Sequence, residues 1–168
     1  MPASEIVDVW PLTPLQEGLL FHAVYDEAGV DVYALQTIVR LEGRVDGGRL
    51  RLAVEGLLRR HASLRVGFRW VGLSRPVQVV VGDVVVPWVE VEFAGVGDVG
   101  LAEFLRVDRG RRFEMGVAPL VRCALVRVGV EESWLVLTCH HVLMDGWSLP
   151  VVLGELMRLY ESGGDGGV

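Results

Sequence analysis

The chain contains no lysine, so all 16 of its basic residues are arginine. Aspartate and glutamate together number 22, which gives a formal net charge of −6 at pH 7. Proteins that bind nucleic acid usually present a basic face to the phosphate backbone. The charge balance therefore argues against nucleic acid as a partner.

Long hydrophobic runs and a targeting signal are also missing. No apolar stretch approaches the roughly 20 residues that a membrane-spanning helix needs. The opening segment MPASEIVDVW lacks the basic-then-apolar pattern of a secretory signal. Cys123 and Cys139 both lie in apolar surroundings, which is typical of small core residues. We expect a reduced, cytoplasmic protein with no membrane segment.

Hydrophobic spacing and capping residues predict four helices. The first begins after Thr13 as the N-cap, with Gln16 at the third helical position. Its core side is predicted to carry Leu15, Leu19, Leu20 and Ala23. The second helix has an apolar face that continues to His61, which we expect to be buried. Asp98 caps the third helix, and the fourth follows the His-His turn, with Leu149, Val152, Leu153, Leu156 and Leu159 on one face.

Strands fall between these helices at irregular intervals. The segments VYALQTIVRLEG and HASLRVGFRW each predict a strand, and PVQVVVGDVVVPWVEVEF predicts two short strands around a Gly-Asp turn. The segment LVRCALVRVGVEESWLVLTC predicts a hairpin whose second strand is apolar on both faces and therefore central. With 168 residues, 51% of them hydrophobic, the chain fits one globular domain. The element order indicates an α/β or α+β layer, not a doubly wound nucleotide fold.

The polar chemistry of the chain is concentrated directly after the predicted central strand. His140 and His141 are followed by Asp145 and Gly146, at a position where sheets covered by helices often carry functional loops. Four interpretations compete. A metal site lacks further ligands nearby, and a hydrolase triad lacks a Gly-x-Ser-x-Gly elbow. A structural turn, with Asp145 capping the last helix, and an acyl-transfer site, with a histidine serving the nucleophile, both remain open.

The segment HHVLMDGWS resembles the HHxxxDG motif of condensation domains from nonribosomal peptide synthetases. Three more segments resemble that family. DVWPLTPLQEGLLFHA is similar to its first block, RRHASLRVGF to its RHxxLRxxF block, and RRFEMGVAPLVRCALVRV to the stretch before the active-site strand. The four matches occur in the family's order, from residue 8 to about residue 160.

The resemblance implies a chloramphenicol acetyltransferase-like fold, with a mixed sheet covered by helices. Condensation domains have two such lobes with a tunnel between them, and all the matching motifs belong to the first lobe. We therefore expect residues 1–162 to form an N-terminal lobe and residues 163–168 a flexible tail, with the C-terminal lobe absent.

The resemblance also implies peptide-bond formation between two thioesters, one held by a donor and one by an acceptor peptidyl carrier protein. The substrates would ride on the phosphopantetheine arms of these carriers, so no cofactor and no metal is expected to bind the chain directly. The implied partners are the two carriers, the missing C-terminal lobe and a downstream adenylation domain. Two alternatives are kept: a coenzyme A-dependent acyltransferase of the same superfamily, and a non-catalytic carrier-docking lobe.

The resemblance assigns catalytic roles to two residues of the motif. His141 would position the attacking amine or accept its proton, and the backbone N–H of Gly146 would stabilise the developing oxyanion. Trp147 is expected to be a packing anchor.

Three further residues are expected to support the site. His140 is expected to point inward, because adjacent residues at a strand end face opposite ways. By resemblance, Asp145 is expected to pair with Arg65 and so lock the loop that presents His141. The isolated chain is expected to be inactive.

Overall fold

Seven β-strands and four α-helices make up the part of the chain that the computed structural model describes, which is residues 5–25, 29–94 and 97–163. In chain order, the elements are β1 (Ile6–Pro11), α1 (Pro14–Tyr25), β2 (Ala34–Glu42), α2 (Gly47–Arg60), a 3-10 turn (Ala62–Arg65), β3 (Val66–Arg69), β4 (Val77–Val81), β5 (Trp88–Glu92), α3 (Val99–Gly110), β6 (Val121–Arg127), β7 (Glu132–His140) and α4 (Ser148–Glu161). No helix within these ranges has the length and apolar character needed to cross a bilayer. Apart from Gly163, the predicted tail lies outside the described residues.

The larger sheet has four strands in the order β2-β7-β6-β5. The β6–β7 hairpin is antiparallel, β2 adds antiparallel to β7, and β5 adds parallel to β6. The prediction of a central second hairpin strand is confirmed, since β7 is flanked on both sides and residues 135–140 are all buried. A strand that is buried on both faces has a nearly continuous apolar sequence, and this feature of β7 is what predicted its central position.

Helices cover both faces of this sheet, as predicted for a mixed sheet between helices. The helices α2 and α4 pack on one face, where the core includes Leu50, Leu57, Leu135, Leu137 and Leu156. The helix α3 packs on the other face through Leu101 and Phe104. Cys123 and Cys139 are buried in the core beneath α2 and α4. Burial raises the pKa of Cys123 to about 12 and that of Cys139 to about 11, so both thiols remain protonated.

A second, three-stranded antiparallel sheet was not predicted. Its order is β1-β4-β3, and α1 packs against it through Leu20, Phe68 and Val80. The two strands predicted around the Gly-Asp turn exist as β4 and β5, but they belong to different sheets. The strand β1 escaped prediction because its side chains are mostly exposed on a sheet edge, so it has no inward apolar alternation.

Both predicted helix caps are present. The N–H of Thr13 donates to Gln16 Oε1 at 3.0 Å, and the N–H of Gln16 donates to Thr13 Oγ1 at 3.3 Å, which is a capping box. The Asp98 carboxylate accepts from the N–H of Gly100 at 2.7 Å. Leu15 was predicted to face the core but is 67% exposed, because it lies in the first turn of α1 and nothing in the described residues covers it.

A buried polar network joins α3 to three strands of the larger sheet. The carboxylate of Asp108 accepts from Arg122 Nε at 2.9 Å, Gln36 Nε2 at 2.9 Å and Thr138 Oγ1 at 2.5 Å. Arg122 is 4% exposed, and its guanidinium lies over the Phe113 ring at 4.3 Å. Burial alone would raise the pKa of Asp108, but the hydrogen bonds from Thr138, Arg122 and Gln36 outweigh it and hold this pKa below its usual range.

We expect Asp108→Asn to lower the free energy of unfolding by about 3–5 kcal/mol at pH 7, because it leaves the buried Arg122 charge without its counterion. Urea denaturation of both proteins measures this difference. Asp46→Asn is the matched control, because Asp46 caps α2 from an exposed position and asparagine caps equally well. A loss below about 1 kcal/mol for Asp108→Asn would show that the network contributes no more than a surface pair.

Candidate active site

The predicted site residues lie in the turn that joins β7 to α4. His141 is half-buried, and its backbone N–H donates to the Tyr33 carbonyl at 2.9 Å. Its ring Nδ1 lies 2.9 Å from the Met144 carbonyl oxygen. A carbonyl only accepts, so in the neutral ring Nδ1 carries the proton and Nε2 keeps its lone pair. This contact orients the ring and, in its neutral form, leaves the Nε2 lone pair available to a ligand.

His140 points the other way, as predicted. Its side chain is 0% exposed, and its Nδ1 accepts from the backbone N–H of Val142 at 3.1 Å. Burial lowers the pKa of His140, the carboxylate of Asp31 opposes this effect, and the positive charge of Arg112 adds to it. The ring is accordingly a neutral, internal part of the turn.

The Gln16 side chain links the first motif to this turn. Its Nε2 donates to the Val142 carbonyl at 3.2 Å, while its Oε1 caps α1 through Thr13. The sequence predicted only the capping role of Gln16. Its contact with Val142 spans 126 positions of the chain, which a local pattern does not reveal.

Asp145 is exposed and acts at the start of α4. Its Oδ1 accepts from both the backbone N–H of Ser148, at 2.9 Å, and the Ser148 hydroxyl, at 2.7 Å. These hydrogen bonds from the Ser148 side chain and backbone lower the pKa of Asp145. Asp145 thus closes the turn just before α4, whose own N-cap residue, Trp147, makes no side-chain cap hydrogen bond.

The predicted pairing of Asp145 with Arg65 is wrong. The Arg65 guanidinium donates to the carbonyls of Leu58 at 2.9 Å, Gly82 at 2.7 Å, and Val81. It thus joins the last turn of α2 to the end of β4. The physical reason for the difference is that three carbonyls satisfy the guanidinium while Ser148 satisfies the carboxylate. Among the described residues, the two side chains form no ion pair with each other.

Asp145 and Arg65 also line different cavities. Asp145 lines a cavity of about 370 Å³ with His61 and Trp147, whereas Arg65 lines a separate pocket of about 70 Å³. A larger cavity of about 400 Å³ lies between α3 and the β5–β6 edge. No histidine lines that larger cavity, so it lies apart from the His140–His141 turn.

Two expectations near the first cavity need correction. Trp147 is 89% exposed, so within the described chain it is not a packing anchor. His61 is half-exposed and not buried, because it caps the C-terminus of α2, and its Nε2 lies 2.5 Å from Glu155 Oε2. Across the described ranges, no group of three or more His, Cys, Asp or Glu side chains is placed to hold a metal ion.

Gly146 lies in the exposed part of the turn. A Cβ atom added at this position would meet no atom within 4 Å, and its φ angle is not among the positive values found at other glycines. Nothing within the described chain therefore requires glycine here.

Residues 6–167 match the family model for the condensation domain. This chain belongs to the condensation domain family. It is 42% identical to part of a linear gramicidin synthase from Brevibacillus parabrevis over 166 residues, and 32% identical to bacitracin synthase 3 of Bacillus licheniformis over 160 residues. These matches cover 96% and 94% of the chain, but only 3% and 2% of the two relatives.

Solved structures of condensation domains share the fold. The chain is similar to the first condensation domain of the calcium-dependent antibiotic synthetase in complex with a substrate analogue, with a TM-score of 0.84 and 18% identity. That match covers 98% of this chain and 41% of the solved chain. A tallysomycin biosynthesis protein matches with a TM-score of 0.76 and 27% identity, over 92% of this chain and 38% of its own. The predicted chloramphenicol acetyltransferase-like architecture is thereby confirmed.

We expect Asp145→Ala and Arg65→Ala to have additive effects on the free energy of unfolding of this condensation domain chain. The two side chains share no partner, and uncoupled sites add. Chemical denaturation of the two single variants and the double variant measures the coupling. If the double variant loses clearly less free energy of unfolding than the two single variants together, the two side chains are coupled and the predicted pairing is correct after all.

We expect the stability of the protein to decrease as the pH falls from about 7 to about 5.5, partly through His140. Its folded pKa lies below the unfolded value of about 6.5, so as the pH falls the unfolded chain takes up this proton before the folded chain does. The slope due to one such group is at most about 1.4 kcal/mol per pH unit. Unfolding measured across this range should show a steeper slope for the native sequence than for His140→Gln. Equal slopes would mean that His140 protonates freely in the folded state.

Proposed function

We propose that the chain is the N-terminal lobe of a nonribosomal peptide synthetase condensation domain. The observation that carries this proposal is the place of His141 in the turn after the central strand, where the contact of Nδ1 with the Met144 carbonyl turns Nε2 over to a ligand. The chain spans 38–41% of the two solved relatives described above, which fits one lobe of a two-lobe domain. On this proposal residues 1–162 form the lobe, and the opposite wall of the tunnel comes from the C-terminal lobe.

The reaction proposed is aminolysis of a thioester. The α-amine of the acceptor attacks the donor carbonyl, the C–N bond forms, the C–S bond breaks, and the donor arm leaves as a thiol. An α-amine has a pKa of about 7.7–8.0, so an appreciable neutral fraction exists without a base. The nitrogen becomes acidic once the tetrahedral intermediate forms. His141 Nε2 then accepts its proton, which becomes available to the leaving sulfur.

The substrates of this reaction are the thioesters that carrier proteins hold on their phosphopantetheine arms. The proposed partners are therefore a donor carrier, an acceptor carrier and an adenylation domain that supplies the acceptor. The chain needs no bound cofactor for this chemistry, because its own contribution is positioning and proton transfer. Positioning alone can supply several kcal/mol of barrier reduction.

Gly146 fits the same proposal. Since no neighbour in the described chain needs glycine, its small size would serve a ligand that approaches the backbone closely. Its N–H would then be free to donate to the developing oxyanion.

We expect His141→Ala to lower amide formation by roughly 10²–10⁴-fold in the full polypeptide that carries this chain, the range typical of general-base catalysis. The assay uses a loaded donor carrier and a loaded acceptor carrier, with a thermal melt alongside. The melt should change little, since the half-exposed ring makes one side-chain hydrogen bond. His61→Ala is the matched control, because His61 is also half-exposed with one side-chain partner.

The same assay separates the alternative functions. The 168-residue chain alone should form no amide, because one tunnel wall is missing. Full activity of His141→Ala with both carriers would contradict the role proposed for His141. Turnover with acyl-coenzyme A but not with an acyl carrier would identify a coenzyme A-dependent acyltransferase, and carrier binding without any turnover would identify a docking lobe.

We expect Gly146→Ala to lower amide formation by about 10-fold or more while leaving the melting temperature unchanged. The added methyl group meets open space within the chain, so any loss must come from the substrate side. Gly154→Ala is the matched control, because its Cβ also meets no neighbour but lies inside α4. That change should stabilise the helix by about 0.5–1 kcal/mol and leave turnover unaffected. Equal turnover in both variants would contradict the backbone role of Gly146.

A further inference from the structure

The turn that presents His141 depends on one side-chain acceptor inside it. The N–H groups of His140, His141 and Leu143 all donate to backbone carbonyls, those of Leu120, Tyr33 and His140 respectively. The N–H of Val142 is different, because it donates to Nδ1 of the His140 ring. The His140 ring therefore takes the place of a backbone acceptor within the turn.

This hydrogen bond requires one tautomer of His140. Nδ1 accepts only when it carries no proton, so the neutral ring must be protonated at Nε2. The Nε2–H tautomer also places an N–H in a fully buried position, where an unsatisfied donor is unfavourable. The other tautomer, and the protonated ring, would set an N–H against the N–H of Val142.

The group facing His140 Nε2 is the carboxylate of Asp31, just before β2. Asp31 Oδ2 lies 3.4 Å from Nε2, which is within ion-pair distance, although Nε2 does not meet hydrogen-bond geometry with any described residue. Asp31 is itself buried, and its Oδ1 accepts from the N–H of Tyr33 at 3.0 Å. Arg112 holds the preceding chain by donating to the Gly29 carbonyl at 2.6 Å. The carboxylate is thus fixed beside the ring, with an attraction for Nε2–H that acts at this distance in a buried setting.

We propose that Asp31 is a positioning residue that keeps His140 in the Nε2–H tautomer and thereby holds the turn that presents His141. The same short segment acts on both histidines, since Asp31 faces the His140 ring while the Tyr33 carbonyl accepts from the His141 N–H. The consequence for catalysis rests on the function proposed above. The effect of Asp31 on the tautomer of His140 is independent of that function.

The two oxygens of Asp31 make Asp31→Asn a sharp test. Oδ1 accepts from the Tyr33 N–H and Oδ2 faces Nε2, so both positions call for an acceptor. An asparagine of nearly the same shape places its NH₂ group against one of them. If the NH₂ group faces Nε2, it donates to the ring and favours the Nδ1–H tautomer. If it faces Tyr33, a backbone hydrogen bond is lost.

The experiment compares the native sequence with Asp31→Asn in the full polypeptide that carries the chain. Nitrogen resonances of ¹⁵N-labelled histidine report the tautomer of His140, and the two-carrier assay reports amide formation. We expect Nε2–H in the native protein, a shift toward Nδ1–H in the variant, and a fall in turnover of roughly 10–100-fold, as for other carboxylates that orient a histidine. The carrier concentration at half-saturation should not change, because Asp31 is buried.

Asp98→Asn is the matched control. Its carboxylate, like that of Asp31, accepts from the backbone, here from the N–H groups of Gly100 at 2.7 Å and Ala94 at 3.2 Å, but it lies at the start of α3. It should leave the tautomer of His140 and the turnover unchanged. Asp31→Glu keeps two acceptor oxygens and should retain more Nε2–H tautomer than Asp31→Asn.

Several results would overturn the proposal. An Nδ1–H tautomer of His140 in the native protein is one, and it needs no variant to fold. A second is a His140 tautomer that does not change in Asp31→Asn. A third is a turnover of Asp31→Asn that falls no more than the turnover of the control Asp98→Asn. If the native protein forms no amide at all, the proposed function fails, and the tautomer comparison alone then decides the role of Asp31.

Discussion

The burial of β7 on both faces is the constraint on which the rest of the structure depends. Because both helical layers cover β7, its last residue, His140, is still inside the core when the chain begins to turn. The next residue is the first to leave the core, and it is His141. The contrast between two adjacent imidazoles, one buried and one half-exposed, follows directly from where the covered part of the sheet ends.

Local patterns of the sequence were enough to predict most of the larger sheet and its helices. The β6–β7 hairpin, the capping box of α1 and the cap of α3 each depend on residues within a few positions of one another, which is why they could be predicted from the chain. The small sheet could not, since β1 pairs with a distant strand, β4, and its side chains are mostly exposed. The parallel addition of β5 to β6 is long-range in the same sense, and the Gly-Asp turn before β5 does not reveal that β4 and β5 belong to different sheets.

The candidate site shows the same division. The cluster of His140, His141 and Gly146 was evident from the sequence, its roles came from the resemblance, and the opposite directions of the two imidazoles follow from strand geometry. The partner of Asp145 was misassigned because a resemblance transfers residue types and not contacts. No sequence pattern pointed to Asp31 as a residue of the site. Its role depends on β2 lying beside β7, which pairs Ala34 with His140 and brings the start of β2 to the end of β7.

The buried cysteines gain a meaning from the chemistry proposed at the turn. A thiolate exchanges readily with thioesters, so a reactive cysteine near the substrates would divert acyl groups from the amine onto the protein. Cys139 lies two positions before His141, yet its side chain belongs to the core beneath α2 and α4 and is 3% exposed. With a pKa of about 11, roughly one molecule in 10⁴ carries the thiolate at pH 7. On the proposed function, the fold of β7 would thus keep a competing nucleophile protonated and out of reach of the acyl group.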